Sequence, residues 1–303
     1  MRPLLSIVTV FYNGSAVNAL FLDSLKKYSR MPHELIAIDN ASTDDSASIF
    51  VKAKAAVIRV EKPVNYSQAM NFGTERSCGE YLCHVNNDVV FSHGWDINLI
   101  DKCKYNGYDI VCPSSLEIMS TWYKSKRSLR KWNKLISCNA LNSDEQIRDI
   151  LIRMYGDYDL FCRRYVNRNH DKVIQGINGH TVLMSRAAWD KIGPYDEDLL
   201  ATDWDLFLRS KIRENELGDL KAPVITCSSY VHHHMGFTRR SLDGNPLWDG
   251  TDFLEKFDMD VIYKHWWNKM HLYPAPSIFS EPTSYLRYAV KSFLGLYNWG
   301  DRW

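Results

Sequence analysis

Short apolar runs alternate with helical segments through the first third of the chain. Four of these runs are rich in Val, Ile and Leu, which is typical of strands buried on both faces of a sheet. Strand–helix alternation of this kind predicts an α/β fold with a parallel sheet. The predicted strands are LLSIVTVFY (4–12), ELIAIDN (34–40), AAVIRV (55–60) and GEYLCHV (79–85), and the predicted helices cover 15–28, 43–54 and 66–77.

The pattern changes in the rest of the chain. Residues 113–173 lose the alternation and carry two basic stretches, at 122–134 and at 163–172. A strand-like run and a segment with helical spacing return between 174 and 240. The remaining residues, 241–303, are rich in aromatic side chains, and we predict a helical extension there.

The bulk composition excludes several kinds of protein. The 303 residues have a net charge of +1, so binding of a polyanion requires a local basic patch rather than an overall field. No apolar run approaches the roughly 20 residues of a membrane-spanning helix. The phosphate-binding patterns GxGxxG and GxxxxGK[ST] are absent. Seven scattered Cys without a close CxxC pair predict reduced thiols and a cytoplasmic location.

Polar residues stand where the predicted strands end. The clearest case is NND (86–88), which interrupts an apolar run and would form a plain turn if nothing else were known. In a parallel sheet the carboxyl ends of the strands meet loops at one edge, and ligands bind there. The loops at this edge are FYNG (11–14), DNAST (39–43), KPVNYS (62–67) and VNNDV (85–89).

Together with three later motifs, these segments resemble the family-2 inverting glycosyltransferases that have a GT-A fold. The resemblance covers residues 4–112 and 174–240, and it implies a Rossmann-like, mixed and mainly parallel sheet flanked by helices. It divides the domain 1–240 into a nucleotide-binding half (1–112), a basic insert (113–173) and an acceptor and catalytic half. The later motifs are GINGHTVLMS (176–185), TDWDL (202–206) and HHHMGFTRR (232–240).

The resemblance implies a nucleotide-sugar donor, with a UDP-sugar favoured, and Mn²⁺ or Mg²⁺ to neutralise the departing diphosphate. NND corresponds to the DxD motif of the family, so Asp88 is the metal carboxylate and Asn86 replaces the first acid. A His of HHH completes the metal site, because neutral imidazole ligates Mn²⁺. Alternation along an extended chain favours His232 and His234 as ligands, with His233 pointing away.

The same resemblance assigns donor contacts to the strand ends. Asp39 accepts a hydrogen bond from N3–H of uracil, with an N-cap as the structural alternative. Phe11 either stacks on the base or packs in the core, Asn65 either contacts the diphosphate or forms a turn, and Asn71 either contacts the donor or is structural. The predicted donor-binding residues are Thr9, Phe11, Tyr12, Asp39, Asn65, Asn71, Asn86, Asn87, Gly179 and Arg239.

The TDWDL segment corresponds to the ED.DL motif of the family. Asp203 is thereby implied to be the catalytic base that takes the proton of the acceptor hydroxyl. Thr202 stands where the family usually has an acid, and Asp205 is expected to cap or buttress the helix.

The basic insert leaves the acceptor open. Its Lys and Arg residues, with Trp122, Tyr123 and Trp132, suit an anionic polymer such as nucleic acid or a phosphate-containing glycan. They equally suit a helix on a membrane surface that reaches a lipid-linked saccharide. In the third interpretation Trp122 and Trp132 are core residues and the charges are simply solvated. The aromatic tail either docks on the domain, covers the acceptor cleft or forms an oligomer interface.

Two other classes of protein compete with the transferase. A non-catalytic module that binds nucleotide sugars has no need of Asp203. A nucleotidyltransferase should have a Gly-rich basic loop after the first strand, where VFYNGS contains only Gly14 and no basic residue.

Overall fold

The structure is a computed structural model, and it describes residues 3–137, 143–235 and 251–265. The strands are β1 (Leu5–Phe11), β2 (His33–Asp39), β3 (Ala56–Arg59), β4 (Tyr81–Val85), β5 (Val89–Val90), β6 (Ile110–Ser114), β7 (Val173–Gln175), β8 (Thr181–Ser185), β9 (Val224–Tyr230) and β10 (His232–His233). The helices are α1 (Ser15–Tyr28), α2 (Ser46–Lys52), α3 (Tyr66–Glu75), α4 (Trp95–Asn106), α5 (Trp122–Ser137), α6 (Asp144–Tyr155), α7 (Tyr158–Asn169), α8 (Arg186–Ile192), α9 (Thr202–Glu216), α10 (Phe253–Lys256) and α11 (Met259–His265).

Eight strands form one sheet in the order β3-β2-β1-β4-β8-β6-β9-β7, and β5 pairs with β10 in a small antiparallel sheet. The strands β1 to β4 are parallel to one another, whereas β8 is antiparallel to both β4 and β6. The predicted mixed, mainly parallel sheet flanked by helices is confirmed. Helix α2 begins at Ser46 rather than at 43, because Asn13 Oδ1 accepts hydrogen bonds from the backbone N–H groups of Thr43 and Asp44.

Alternate residues of β1 enter two different cores. Val8 and Val10 pack with Ile36 in one apolar cluster, whereas Ile7 and Phe11 belong to the other. Successive side chains of a strand point to opposite faces, and both faces of this sheet are covered. The continuous apolar runs of the sequence are therefore explained by burial on both sides.

The basic insert is helical where the strand–helix alternation of the sequence ends. Helix α5 packs against α6, and α6 packs against α1. Trp132 is fully buried in α5, which confirms the core interpretation for this residue, and Trp122 is half-buried.

Only part of the predicted helical extension belongs to the described residues. Helix α11 packs against α9, and Lys256 Nζ lies 3.0 Å from Asp205 Oδ1. Asp205 also pairs with Arg209 at 2.7 Å, so this acid buttresses α9 as expected. The tail aromatic residues from 266 onward, together with Arg239, lie outside the described residues. None of the described helices combines the length and the apolar character that crossing a membrane requires.

Candidate functional site

Four acidic and imidazole side chains converge beyond the carboxyl ends of β4 and β6. His233 Nε2 lies 3.4 Å from Asp88 Oδ1, and its Nδ1 lies 2.9 Å from Glu117 Oε1. The other carboxylate oxygen of Glu117 is 3.3 Å from His180 Nε2, and the rings of His180 and His233 are 4.7 Å apart. We call Asp88, Glu117, His180 and His233 the acid–imidazole cluster.

Backbone hydrogen bonds bring three distant sequence motifs to this cluster. Strand β10 pairs with β5, so the HHH motif folds back over the residues that follow NND. The backbone N–H of His234 donates to the carbonyl of Asp88 at 2.9 Å, and that of Asn86 donates to the carbonyl of His180 at 2.9 Å. Backbone hydrogen bonds thus hold the segments NND, GINGH and HHH together, in addition to the contacts of their side chains.

Burial and charge act in opposite directions within the cluster. Burial opposes ionisation of Glu117, yet the neighbouring His233 and His180 hold the pKa of this carboxyl well below its usual value. Burial also disfavours the imidazolium of His233, but Glu117 and Asp88 raise its pKa well above the ordinary value. Burial lowers the pKa of His180. The carboxylates of Asp88 and Glu117 therefore concentrate negative charge around His233.

The donor atoms of the cluster suit a divalent cation. Asp88 Oδ1 and His180 Nε2 are buried and make no hydrogen bond of good geometry within the described part of the chain. One ligand atom from each of Glu117, His180 and His233 lies within 4.8 Å of the others. Carboxylate oxygens and imidazole nitrogens are both ligands that Mn²⁺ accepts. These residues therefore fit the predicted metal, although Asp88 is the one member of the cluster that the sequence analysis assigned as a ligand.

The three consecutive His residues face opposite to the prediction. We predicted that His233 points away from the metal site, and this is wrong, because His233 is the one that faces Asp88. His232 and His234 are fully buried against Trp132, with ring centroids 4.8 and 5.7 Å from its indole. Burial lowers the pKa of His234 to about 4. The alternation was assigned the wrong phase because the sequence does not show that the insert covers that face of β10.

Asp203 lies in the first turn of α9, as predicted, and is half-buried. Its Oδ1 accepts a hydrogen bond from the backbone N–H of Trp204 at 3.1 Å. Burial raises the pKa of this carboxyl to about 6, although the backbone N–H groups of Trp204 and Gly179 act in the other direction. A carboxylate with this pKa can accept a proton near neutral pH.

Gly179, which we predicted to bind the donor, lies close to Asp203. A Cβ atom at Gly179 would lie only 2.6 Å from Asp203 Oδ2. The loop is held by Asn178, whose Nδ2 donates to the carbonyl of Pro113 at 2.9 Å. Because His180 follows directly and contacts Glu117, the Gly179–His180 dipeptide joins Asp203 to the acid–imidazole cluster.

A second polar group, which we call the base-side cluster, lies at the carboxyl end of β2 and consists of Asp39, Ser42 and Arg59. Asp39 is fully buried, and its Oδ1 accepts the backbone N–H of Ser42 at 2.8 Å. Its Oδ2 pairs with the guanidinium of Arg59 at 2.7 Å. Both oxygens of the predicted uracil acceptor thus already have protein partners. The alternative of an N-cap is not observed, since Asp45 is the N-cap residue of α2.

The other donor-binding predictions on β1 differ in burial. Thr9 is fully buried, and its Oγ1 makes no hydrogen bond within the described residues. Phe11 is fully buried and stacks on Phe50 with ring centroids 4.3 Å apart, as the core alternative expects. Tyr12 is half-buried at the end of the strand.

The predicted Asn residues form mostly protein contacts. Asn65 is the N-cap residue of α3 in a capping box, and Asn71 binds both the N–H and the carbonyl of Tyr195. Asn87 is buried and donates to Asn18. Asn86 is half-buried. The contacts of Asn65 and Asn71 correspond to the structural alternatives of the sequence analysis, a turn for Asn65 and a structural role for Asn71.

Glu117 and His180 are the site residues that the sequence analysis missed. Glu117 follows the carboxyl end of β6 by three residues, so the strand-end rule applied to the other loops would have found it. In the sequence analysis this loop belongs to the basic insert, 113–173, and not to the edge of the sheet. His180 is the last residue of GINGH, and the sequence analysis interpreted this motif through its small residues rather than through the imidazole.

Comparisons with known proteins agree with this architecture. Residues 6–189 match the family model described as glycosyl transferase family 2. An uncharacterized glycosyltransferase of Bacillus subtilis (strain 168), YwdF, is 24% identical over 231 residues, covering 75% of this chain and 73% of YwdF.

The solved structures that are similar to this chain include the following two. The mannosyltransferase PcManGT from Pyrobaculum calidifontis, solved in complex with GDP-Man and Mn²⁺, has a TM-score of 0.51 at 12% identity, covering 97% of this chain and 76% of that one. A crystal structure of S. aureus TarS, residues 1–349, has a TM-score of 0.49 at 12% identity, covering 78% of this chain and 61% of that one. The predicted GT-A fold is confirmed.

Proposed function

This chain belongs to glycosyl transferase family 2, and from that premise we propose that it is a metal-dependent, inverting enzyme that moves a sugar from a nucleotide sugar to an acceptor hydroxyl. One observation carries the proposal. Asp203, whose pKa is raised to about 6, is joined through Gly179 and His180 to a cluster that fits a divalent cation. A proton acceptor and a site for a diphosphate thus adjoin each other.

The acid–imidazole cluster is the proposed holder of the cation. Asp88, Glu117, His180 and His233 would hold Mn²⁺ or Mg²⁺, and the two imidazoles favour Mn²⁺. When bound, the cation supplies Lewis-acid stabilisation of the nucleotide diphosphate. Among the carboxylate oxygens of the cluster, Oδ1 of Asp88 is best suited to bind the cation, because it is buried and makes no hydrogen bond within the described residues.

Asp203 performs the proton transfer in the proposed reaction. Its carboxylate takes the proton of the acceptor hydroxyl while that oxygen forms a bond to the anomeric carbon. The bond from the anomeric carbon to the diphosphate breaks in the same displacement, and its electron pair leaves with the nucleotide diphosphate. Attack on the face opposite the leaving group inverts the anomeric configuration.

The base-side cluster is the proposed recognition site for the nucleobase. Asp39 can accept N3–H of uracil only if Arg59 shares or yields its position on the carboxylate. We favour UDP because N3–H of uracil is a hydrogen-bond donor that matches the carboxylate of Asp39. Guanine also offers N–H donors to a carboxylate, and GDP is therefore the competing nucleotide in the test.

Isothermal titration of UDP and of GDP tests the donor half of the proposal. We expect UDP to bind the full chain in Mn²⁺, to lose most of its affinity in EDTA, and to lose it equally in Asp88→Asn. Asp190→Asn, an exposed acid on α8, is the matched control and should bind like the wild type. Preference for GDP would make the assignment of Asp39 to uracil wrong.

Turnover distinguishes the proposal from its competitors. Release of UDP from a panel of UDP-sugars, dependent on Asp203, would support a transferase. Binding of UDP-sugars with no turnover towards water or any acceptor would favour the non-catalytic module. Failure of every nucleotide to bind in Mn²⁺ would overturn the proposed donor site.

A further inference from the structure

Helix α5 follows the loop that carries Glu117 of the proposed site, and it is unusually basic. Its 16 residues include six Lys or Arg and no Asp or Glu. The helix begins at Trp122, five residues after Glu117 of the acid–imidazole cluster. Its buried Trp132 packs edge-on against His232, the residue next to His233. The helix therefore packs against the face of β10 opposite to His233, directly after the loop that carries Glu117.

We propose that the exposed face of α5 binds the acceptor, and that this acceptor is a linear glycan or polyol chain joined by phosphodiesters. The inference rests on the proposed glycosyl transfer, for which it names the second substrate. A hydroxyl of such a chain would be presented to Asp203 while its neighbouring phosphates lie along α5.

The two faces of α5 have different environments. Trp132 and Ile136 are buried in a small core with Leu116, Ile150 and Met154. The opposite face exposes three cations at the spacing i, i+3, i+7, which places them on one side of a helix. At 1.5 Å per residue they span about 10 Å along the axis. These cations are Arg127, Arg130 and Lys134.

The neighbouring helix α6 shows that this charge is not a general property of the insert. In α6, Arg148 pairs with Asp144 and Arg153 with Asp149, so its charges largely compensate one another. Helix α5 contains no acid that could do the same. Since the whole chain has a net charge of only +1, the positive potential is local, as an anionic partner requires.

The packing of α5 disfavours a membrane as the partner. An interfacial helix inserts its apolar face into the lipid. Here Trp132 and Ile136 supply the apolar face and are buried in the protein. Apart from Tyr123, the exposed residues of α5 are polar or basic, which suits a flexible chain of phosphates better than a lipid surface.

The aromatic side chains disfavour a nucleic acid in the same way. Binding of single strands combines cations with aromatic platforms on which bases stack. Of the three aromatic residues of α5, Trp132 is buried and Trp122 is half-buried beneath Lys126, at 5.4 Å. Tyr123 alone is exposed, at 45%. Cations without a row of stacking surfaces recognise the phosphates and not the bases.

Fluorescence polarisation with labelled poly(glycerol phosphate) tests the proposal on the full chain. We expect binding that weakens as salt rises, and at least a tenfold loss of affinity in the triple variant Arg127→Glu, Arg130→Glu and Lys134→Glu. Removing three phosphate contacts should also reduce the slope of log affinity against log salt by about 2. The matched control is Lys26→Glu, Arg30→Glu and Lys104→Glu, which changes three exposed cations at the far ends of α1 and α4. It should retain the affinity within about twofold, apart from the general charge effect that salt screens.

Several outcomes would overturn the proposal. Equal binding by the α5 variant and the control variant would place the polymer elsewhere. Tighter binding of oligo(dT), lost in Tyr123→Ala, would identify a nucleic-acid surface. Binding to phosphatidylglycerol vesicles with no binding to the polymer would identify a membrane surface.

A UDP titration in Mn²⁺ on the same samples separates this inference from the proposed function. If UDP binds and the polymer does not, only the acceptor assignment fails. If the polymer binds through α5 and neither UDP nor GDP binds, the donor site fails while the basic surface stands. Thermal melting of both triple variants confirms that each is folded.

Discussion

Two buried carboxylates lie at the carboxyl ends of parallel strands, Asp39 as the last residue of β2 and Asp88 in the loop after β4, and their surroundings differ. Asp39 is satisfied on both oxygens, by the N–H of Ser42 and the guanidinium of Arg59. Asp88 has an oxygen without a hydrogen bond within the described residues, 3.4 Å from the imidazole of His233. A buried carboxylate with unmet bonding capacity is costly unless a ligand completes it. The acid–imidazole cluster therefore has unmet bonding capacity that the proposed cation would complete, whereas the base-side cluster has both oxygens of its carboxylate satisfied by the protein.

The largest effect is expected from a substitution of Asp88 in the acid–imidazole cluster. Asp88→Asn removes a charge and an anionic ligand while keeping the shape of the side chain. We expect the affinity for Mn²⁺ to fall by more than the roughly 10- to 100-fold that loss of an outer-shell residue causes. Electron paramagnetic resonance of free Mn²⁺ measures this directly. Equal Mn²⁺ binding by wild type, Asp88→Asn and the control Asp190→Asn would contradict the metal assignment.

The next effect concerns the proton acceptor beside the cluster. Asp203→Asn should lower the rate of sugar transfer by about 10²- to 10⁴-fold, because general-base catalysis contributes this much. The wild-type rate should rise with pH up to about 6 and then level off, since only the ionised carboxylate of Asp203 accepts the proton.

Stability distinguishes this role from a structural one. The pKa of Asp203 is raised by folding, so its ionisation opposes the folded state, and the stabilisation by its neutral form is lost as pH rises towards 6. Asp203→Asn should therefore not lower the melting temperature at pH 7 to 8. A large loss of stability at that pH would identify Asp203 as a structural residue instead.

A smaller effect is expected at Gly179, which joins Asp203 to the cluster. In Gly179→Ala the new Cβ would lie 2.6 Å from Asp203 Oδ2, so the carboxylate must move. Displacing a catalytic group by about 1 Å can cost on the order of 10²-fold in rate.

The double variant Gly179→Ala with Asp203→Asn provides the control for that change. If Ala acts through the carboxylate, it should add little to the loss already caused by Asp203→Asn. Fully additive losses in transfer kinetics would show that the loop acts independently of Asp203.

The smallest effect is expected from a substitution of Arg59 in the base-side cluster, and it tests whether the pairing of Asp39 is exchangeable for a ligand. Arg59→Ala should lower the free energy of unfolding by about 1 to 3 kcal/mol, because it leaves the fully buried Oδ2 of Asp39 without its partner, while the 56% exposure of the Arg59 side chain screens the ion pair itself. Chemical denaturation measures the change, and Arg76→Ala, whose partner Glu75 is exposed, should cost less. UDP should restore more stability to Arg59→Ala than to Arg76→Ala if uracil takes the vacated position on Asp39.

Much of the fold follows from the sequence because local patterns report burial. Apolar runs at 4–12 and 34–40 indicated strands covered on both faces, and the structure places β1 and β2 there. The antiparallel direction of β8 was not evident from its own residues. A strand carries the same alternation in either direction, and its partner β4 lies about 100 residues earlier in the chain.

The sequence by itself determined the family, the strand ends that form the site, and two of its acids, Asp88 and Asp203. Only the tertiary structure decided that His233 faces Asp88, that Glu117 and His180 join them, and that Trp132 is core while the cations of α5 face solvent. The physical reason is the range of the interactions. Strand and helix patterns depend on neighbours within a few residues, whereas the orientation of a side chain in a two-residue strand depends on what packs against it. Here that partner is Trp132, 100 residues away in the chain from His232.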